Sequence, residues 1–262
     1  NSITAVKLGA QAGNKYNVKY IYNERGMRCH HCADAGDCCE QANGKCCYWT
    51  VPADTSKVTF EIWSGGGAGA GATCCNNCMH SAGGSGGNYA VKTISTCPGC
   101  QYTVCAGGTW RCSKSHTCTA GMGCRSYVNG YNLSNFCVEG GCPGWMCNGD
   151  AWGQRHAVLN CANCRICGIF GADFGIMGST GVTGGHGGCQ CKSGDWGMSG
   201  VAPFIGKRTA GANAESWCNC ACYTNWPAGG GQTGQSSYCG NWAKCCAGGN
   251  MGGSGLVRIT FA

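Results

Sequence analysis

Lys57-Val58-Thr59-Phe60-Glu61-Ile62-Trp63, running directly into Ser64-Gly65-Gly66-Gly67-Ala68-Gly69-Ala70-Gly71, is the stretch that decides the fold. Its first half alternates in the manner of a half-buried strand, with Val58, Phe60 and Ile62 on one face and Thr59, Glu61 and Trp63 on the other. Trp63, at the strand end, is read as packed. The second half carries almost no side chain. The C-terminus has the same two parts in reverse order, Gly252-Gly253-Ser254-Gly255 followed by Leu256-Val257-Arg258-Ile259-Thr260-Phe261, with Val257, Ile259 and Phe261 on one face. Pairing these two strands would bring the start and end of one domain together.

Between them, Tyr89 to Ile94 and Gln101 to Cys105 read as short strands linked by the turn Cys97-Pro98-Gly99-Cys100. Pro-Gly at the centre of a turn suits type II geometry, in which glycine supplies the positive φ. Upstream, Tyr16 to Tyr22 is β-prone. Further glycine clusters occur at Gly83-Gly84, Gly86-Gly87, Gly107-Gly108, Gly140-Gly141, Gly184-Gly185, Gly187-Gly188 and Gly229 to Gly231. Such runs form either flexible linker or ordered, extended polyglycine-II-like backbone, and the flanking cysteines and tryptophans argue for order. No strict three-residue repeat is present, which excludes collagen.

Composition points the same way. Glycine supplies 49 of 262 residues, where an average of about 7% would give fewer than ~20. Charged residues make up 11%, against about 25% in ordinary domains. Glycine and β-branched residues are poor helix formers, so all-α and doubly wound α/β folds are not expected. The net charge of +7 comes from 18 basic and 11 acidic residues spread along the chain, with no run of five basic residues. That is a solvated surface with a mild cationic bias, able to attract acidic glycans or lipopolysaccharide phosphates without specifying either. Nucleic-acid binding would show clustering and is not expected. No apolar run approaches a membrane span, so membrane insertion is not expected either.

The 29 cysteines exceed the roughly 8–10% that marks a disulfide scaffold. Vicinal pairs stand at Cys38-Cys39, Cys46-Cys47, Cys74-Cys75 and Cys245-Cys246. Adjacent Cα atoms lie about 3.8 Å apart, too close for the usual disulfide, so each member should reach a different partner. CxxC spacing occurs at Cys29/Cys32, Cys75/Cys78, Cys97/Cys100, Cys161/Cys164 and Cys164/Cys167; CxC spacing occurs at Cys189/Cys191 and through Cys218, Cys220 and Cys222. With Cys105, these are the candidate structural disulfide cysteines. The competing reading is zinc or iron on the clusters, and Cys29-His30-His31-Cys32 resembles half of a zinc site. Cysteine is distributed everywhere rather than in separated knuckles, which favours disulfides and no cofactor. Glycine pays the largest backbone entropy on folding, and a disulfide offsets about 2–4 kcal/mol of it. A persistent network implies an oxidising, extracellular destination.

The expected architecture is all-β: small sheets or a sandwich with glycine-rich, in part polyglycine-II, loops and heavy disulfide crosslinking. Residues 1–52, with a compact cysteine cluster and little glycine, read as an attachment or cap segment, and 53–262 as the glycine-rich β domain.

Four blocks in order, "VTFEIWSGGGAGAG" at 58–71, "GGSGGNYAVKTI" at 83–94, "TCPGCQYTVCAGG" at 96–108 and "GGSGLVRITFA" at 252–262, resemble the glycine-rich domain of phage tail-fibre and adhesin proteins. The resemblance covers about 55–262. It implies a virion location, β structure with glycine loops or polyglycine helices, self-association as a homotrimer, contact with other virion proteins, and binding of a host-surface glycan or protein. It supplies no catalytic residue. Cys97, Cys100 and Cys105 depart from the family pattern, which keeps open a capsid-decoration or appendage role without receptor binding. A weaker resemblance, to glycine-rich extracellular domains of animal receptors, rests on the glycine runs; for a secreted eukaryotic module the sequon Asn132-Leu133-Ser134 would be occupied.

Catalytic motifs lack their contexts. Gly83-Gly84-Ser85-Gly86-Gly87 matches GxSxG but has no helix to follow it. Gly206-Lys207-Arg208 lacks the upstream glycine and the Ser/Thr of a phosphate loop, the six histidines are dispersed, and HExxH is absent. An enzyme is not expected. Among the nine tryptophans, Trp110, Trp145, Trp152 and Trp226 lie among Gly, Pro and Asn as loop residues would. They are the candidate receptor-binding residues, because exposed aromatics anchor partners; the alternative is that they fill a core short of large aliphatics.

Overall fold

Strand β3 (Lys57–Trp63) is the central member of a five-stranded antiparallel sheet. The computed structural model describes residues 17–22, 44–70, 79–109, 121–144, 146–148, 168–181, 199–205, 226–231 and 251–262. The first sheet runs in the order β1 (Asn17–Tyr22), β12 (Leu256–Phe261), β3, β5 (Tyr89–Ser95) and β11 (Phe174–Ile176). A second five-stranded antiparallel sheet runs β10 (Ile169–Phe170), β8 (Leu133–Val138), β7 (Ser126–Gly130), β6 (Gln101–Ala106) and β2 (Lys45–Thr50). A ribbon pairs β4 (Met79–Ser81) with β9 (Met146–Asn148). The described residues contain no helix. The fold is all-β, and the opening and closing strands pair as the sequence suggests, from Leu256 opposite Trp63 to Phe261 opposite Val58.

The alternation of β3 sets the core. Val58, Phe60 and Ile62 are fully buried, and with Val257, Ile259 and Ala90 they face Tyr102, Val104, Val128 and Phe136 of the second sheet. Rings from opposite sheets meet here: Phe60 and Tyr102 have centroids 5.2 Å apart, and Trp49 stands edge-on to Phe60 at 5.9 Å. Each such pair adds about 0.5–1.5 kcal/mol beyond its buried area. Tyr102 is tolerated in an apolar core because its hydroxyl bonds the Thr96 hydroxyl at 2.8 Å.

The described glycine segments that adjoin the strands are not loops. Six strands of the sandwich continue into them at the same end: β3 into 64–70, 82–88 into β5, β6 into 107–109, 121–125 into β7, β8 into 139–144, and 251–255 into β12. Segment 64–70 is buried along its whole length and lies at the centre of a bundle. Its amides point outward in a three-residue cycle. Gly65 donates to Cys124 O (3.0 Å), Gly66 to Gly253 O (2.9 Å) and Gly67 to Ser85 O (2.9 Å); one turn later Ala68 donates to Gly121 O (2.8 Å) and Ala70 to Ala82 O (3.0 Å). In return the carbonyls of Gly65, Gly67 and Ala68 accept from Gly141, Gly231 and Gly144. A polyproline-II-type chain has three residues per turn and no internal hydrogen bonds, so every amide must find a neighbour. Glycine is needed because the neighbours are backbone. A Cβ on Gly66 would overlap the Gly229 carbonyl, and one on Gly67 the Cys142 carbonyl.

Three expected features find their place in the fold. Of residues 1–52, the described part belongs to the sandwich, because β1 is paired along its length with β12 and β2 with β6; the cysteine cluster of the expected cap lies outside the described residues except for Cys46 and Cys47. The turn Cys97-Pro98-Gly99-Cys100 joins strands of different sheets, β5 and β6, and Gly99 has the positive φ (79°) the turn requires. Crosslinking among the described residues consists of two disulfides, Cys46–Cys105 and Cys97–Cys100. Cys46 and Cys105 stand directly opposite on β2 and β6, facing away from the core. Cys47, expected to be bonded, is a free thiol; the next residue along a strand faces the other side, and here it packs on the core opposite Val104.

Replacing Gly66 by Ala is expected to cost about 2 kcal/mol or more, since the methyl group meets backbone that cannot rotate away. Gly99→Ala, whose methyl would meet nothing within 4 Å, is expected to cost only the left-handed backbone penalty of about 1 kcal/mol. Denaturant midpoints of the two variants, compared at equal m-value, check the difference.

Candidate functional site

The outward face of the first sheet collects the side chains that alternation turns away from the core. Reading across the register, one row is Tyr22, Leu256, Trp63, Tyr89 and Ile176. The next is Tyr20, Arg258, Glu61, Val91 and Phe174, and the third begins Val18, Thr260, Thr59 and Thr93. The face therefore grades from aromatic, through charged, to hydroxylic.

Two turns cover the aromatic row. Trp63 and Tyr89 pack with centroids 4.8 Å apart, Tyr22 meets Trp226 at 5.3 Å, and Phe204 stands edge-on to Tyr89 at 4.9 Å. The turn Pro203-Phe204-Ile205 is closed by Ile205 N donating to Pro203 O (2.9 Å), and Trp63 Nε1 donates to the same carbonyl at 2.9 Å. Phe204, at its centre, has φ 66° and is 71% exposed. A bulky residue held left-handed costs about 1–3 kcal/mol, and such strain concentrates at functional positions. Tyr20 (53%) and Phe174 (52%) are the other open rings on this face.

The charged row is internally neutralised. Glu61 accepts from the Arg258 guanidinium through Nε and Nη2 and from the Tyr89 hydroxyl at 2.9 Å. Burial, and then the bond to Glu61 and its charge, pushes the Tyr89 phenol well above its ordinary value. Burial works against the charge of Arg258, but the bonds and charges of Glu61 and then Tyr20 together outweigh it and its pKa rises. Thr59 and Thr93 share a hydroxyl–hydroxyl bond of 2.9 Å. At the sheet edge Asp173 accepts from Lys92 Nζ (2.6 Å) and Thr93 N (2.8 Å), and these two bonds, the lysine first, lower its pKa. The arrangement offers open rings, a fixed cation–anion pair and hydroxyls on one sheet face, which suits recognition of a surface.

Of the sequence-selected tryptophans, Trp226 belongs to this face, half-buried against Tyr22. Trp110, Trp145 and Trp152 lie outside the described residues, as do Cys29, Cys32, Cys38, Cys39, Cys74, Cys75, Cys78, Cys161, Cys164, Cys167, Cys189, Cys191, Cys218, Cys220, Cys222, Cys245 and Cys246. Sequence reading missed Tyr20, Phe174 and Phe204. The alternation of Tyr16 to Tyr22 places Tyr20 beside Tyr22 on one face, but nothing local distinguishes Phe204. Ser85 of the GxSxG match lies in the glycine bundle, where its hydroxyl donates to Cys142 O at 3.2 Å. Asn132 is exposed in the turn between β7 and β8 with φ 52°. Among the described residues no three His, Cys, Asp or Glu side chains group closely enough to hold a metal ion. On the outer face of the second sheet, Cys46, Cys105, Tyr127, Cys137 and Phe170 form a cross-strand row, and burial raises the Cys137 thiol pKa.

Compared with known proteins, the chain matches no protein-family model and no curated sequence.

The Asp173 carboxylate has a depressed pKa when folded, so its stabilisation is present above the ordinary aspartate value of about 3.9 and lost as pH falls through the lower folded value. Its side chain is half exposed, which limits the contribution to about 1 kcal/mol. Asp173→Asn is expected to be less stable than the parent at pH 7 and to converge with it in strong acid, as followed by urea denaturation at both pH values.

Proposed function

We propose that this chain is a non-enzymatic structural module of a virus particle, a tail-fibre tip or adhesin that meets a host-surface glycan or protein through the outer face of its first sheet. The observation that carries the reading is Phe204, an open ring held left-handed over a cross-strand aromatic row. A buried bundle of hydrogen-bonded backbone at one end of the sandwich continues the strands of that face, and the resemblance of the four sequence blocks to phage fibre domains supports the setting. A homotrimer joined to other virion proteins in an extracellular particle completes the proposal.

A second reading, a capsid-decoration or appendage protein without receptor binding, is favoured by the edges. Strands β1 and β2 are terminal in their sheets, and β1 exposes Asn17 to Tyr20. Among the described residues nothing pairs with their outer sides, as strands awaiting a sister subunit would require.

Immunogold labelling of purified particles with an antibody to the chain separates the readings: label at a distal fibre tip is expected, label over the capsid favours decoration, and unlabelled particles overturn both. Recombinant chain is expected to compete with particle adsorption to host cells. Combined Tyr20→Ala, Phe174→Ala and Phe204→Ala should weaken competition about tenfold or more, at 1 kcal/mol or more for exposed aromatic anchors. Tyr48→Ala, on the second sheet, should leave it intact.

A further inference from the structure

The two disulfides differ in what the fold asks of them. Cys46–Cys105 joins residues 59 apart in sequence, from an exposed Cys46 to a Cys105 that is only 2% exposed. Cys97–Cys100 spans three residues, at the end of the sandwich away from the glycine bundle. A crosslink closing so short a loop removes little freedom from the unfolded chain. The turn is also held without it. Cys100 N donates to Cys97 O (3.1 Å), Gly99 N to Val51 O (3.0 Å), Val51 N to Cys100 O (2.9 Å) and Thr96 N to Ser56 O (2.9 Å). The tip residues Pro98 and Gly99 are exposed, and the space beside Gly99 is open.

A bond that the turn does not need, between two half-buried cysteines flanking an exposed tip, is available for chemistry. We propose that Cys97–Cys100 is a thiol-exchange site whose co-reactant is an external peptide thiol of the glutathione class. The external thiolate attacks one of the two sulfurs, and a mixed disulfide forms as the Cys97–Cys100 bond breaks. The displaced sulfur leaves with the electron pair as a thiolate and takes a proton from water. A second external thiol then attacks the mixed disulfide, so two external thiols are oxidised to one disulfide while Cys97 and Cys100 are reduced. No other oxidant or reductant is required. A protein bearing such a thiol would be held covalently for the lifetime of the mixed species.

The test is a titration of the full chain with reduced glutathione, quenched by alkylation and read by peptide mass mapping. Cys97 and Cys100 are expected to carry glutathione or alkyl label at about a tenth of the concentration that opens Cys46–Cys105, with the far-ultraviolet circular dichroism and thermal midpoint unchanged. In a Cys100→Ser chain Cys97 is a free thiol with no resolving partner beside it; its thiolate should attack oxidised glutathione, release one reduced glutathione and retain the mixed disulfide at Cys97. The double variant Cys97→Ser, Cys100→Ser should keep the thermal midpoint of the parent. Opening of Cys46–Cys105 first or together with Cys97–Cys100 overturns the proposal. So does label on Cys97 and Cys100 that appears only as the chain unfolds, or a double variant that loses the fold.

Discussion

Backbone amides that must find partners in neighbouring chains are the constraint on which the structure depends. In segment 64–70 no amide can bond within its own helix, and three residues per turn send successive donors in three directions. Several extended segments must therefore be gathered around it before its polar groups are satisfied. They can come close enough only where no Cβ intervenes, which is why the glycines at 66 and 67 sit against bare carbonyls. The apolar sandwich supplies the register, since β3, β5, β6, β7, β8 and β12 each continue into the bundle from the same end. Side-chain burial and backbone bonding thus stabilise adjoining halves of one body.

That division explains where sulfur is placed. With a core built from residues such as Phe60, Tyr102, Val104 and Phe136, the sandwich does not rely on crosslinks for its centre. Cys46–Cys105 instead fastens β2, an edge strand with one neighbour, to β6 on the outer face. Cys47, one residue on, is spent as a small apolar filler against the core. At Cys46-Cys47, the one vicinal pair among the described residues, alternation decides the outcome: two adjacent strand residues serve opposite faces and need not both be bonded.

The candidate recognition face follows from the same alternation, with one addition from afar. Trp63 and Tyr89 are neighbours because β3 and β5 pair, whereas the turn carrying Phe204 is fastened to them by the Pro203 carbonyl accepting from Trp63 Nε1 and by packing of Ala202 and Ile205. A separation of 140 residues lies between donor and acceptor. The strained φ of Phe204 is maintained by that fastening and by the turn closure at Ile205.

Period-two alternation was enough to read β3 and β12 from the chain, to set Val58, Phe60 and Ile62 on one face against Thr59, Glu61 and Trp63, and to pair the two strands. Those properties depend on side chains a few residues apart, and local order in a sequence carries them. Glycine runs announced close packing or slack equally well, because a residue without a side chain carries no pattern of its own; only the assembled neighbours made 64–70 an interior rather than a loop. The placement of β1 and β2 inside the sandwich, the ring of Phe204 over Tyr89 and the solitary thiol of Cys47 were likewise decided by partners distant in sequence. Sequence spacing determines which face a residue takes, and tertiary structure determines what that face meets.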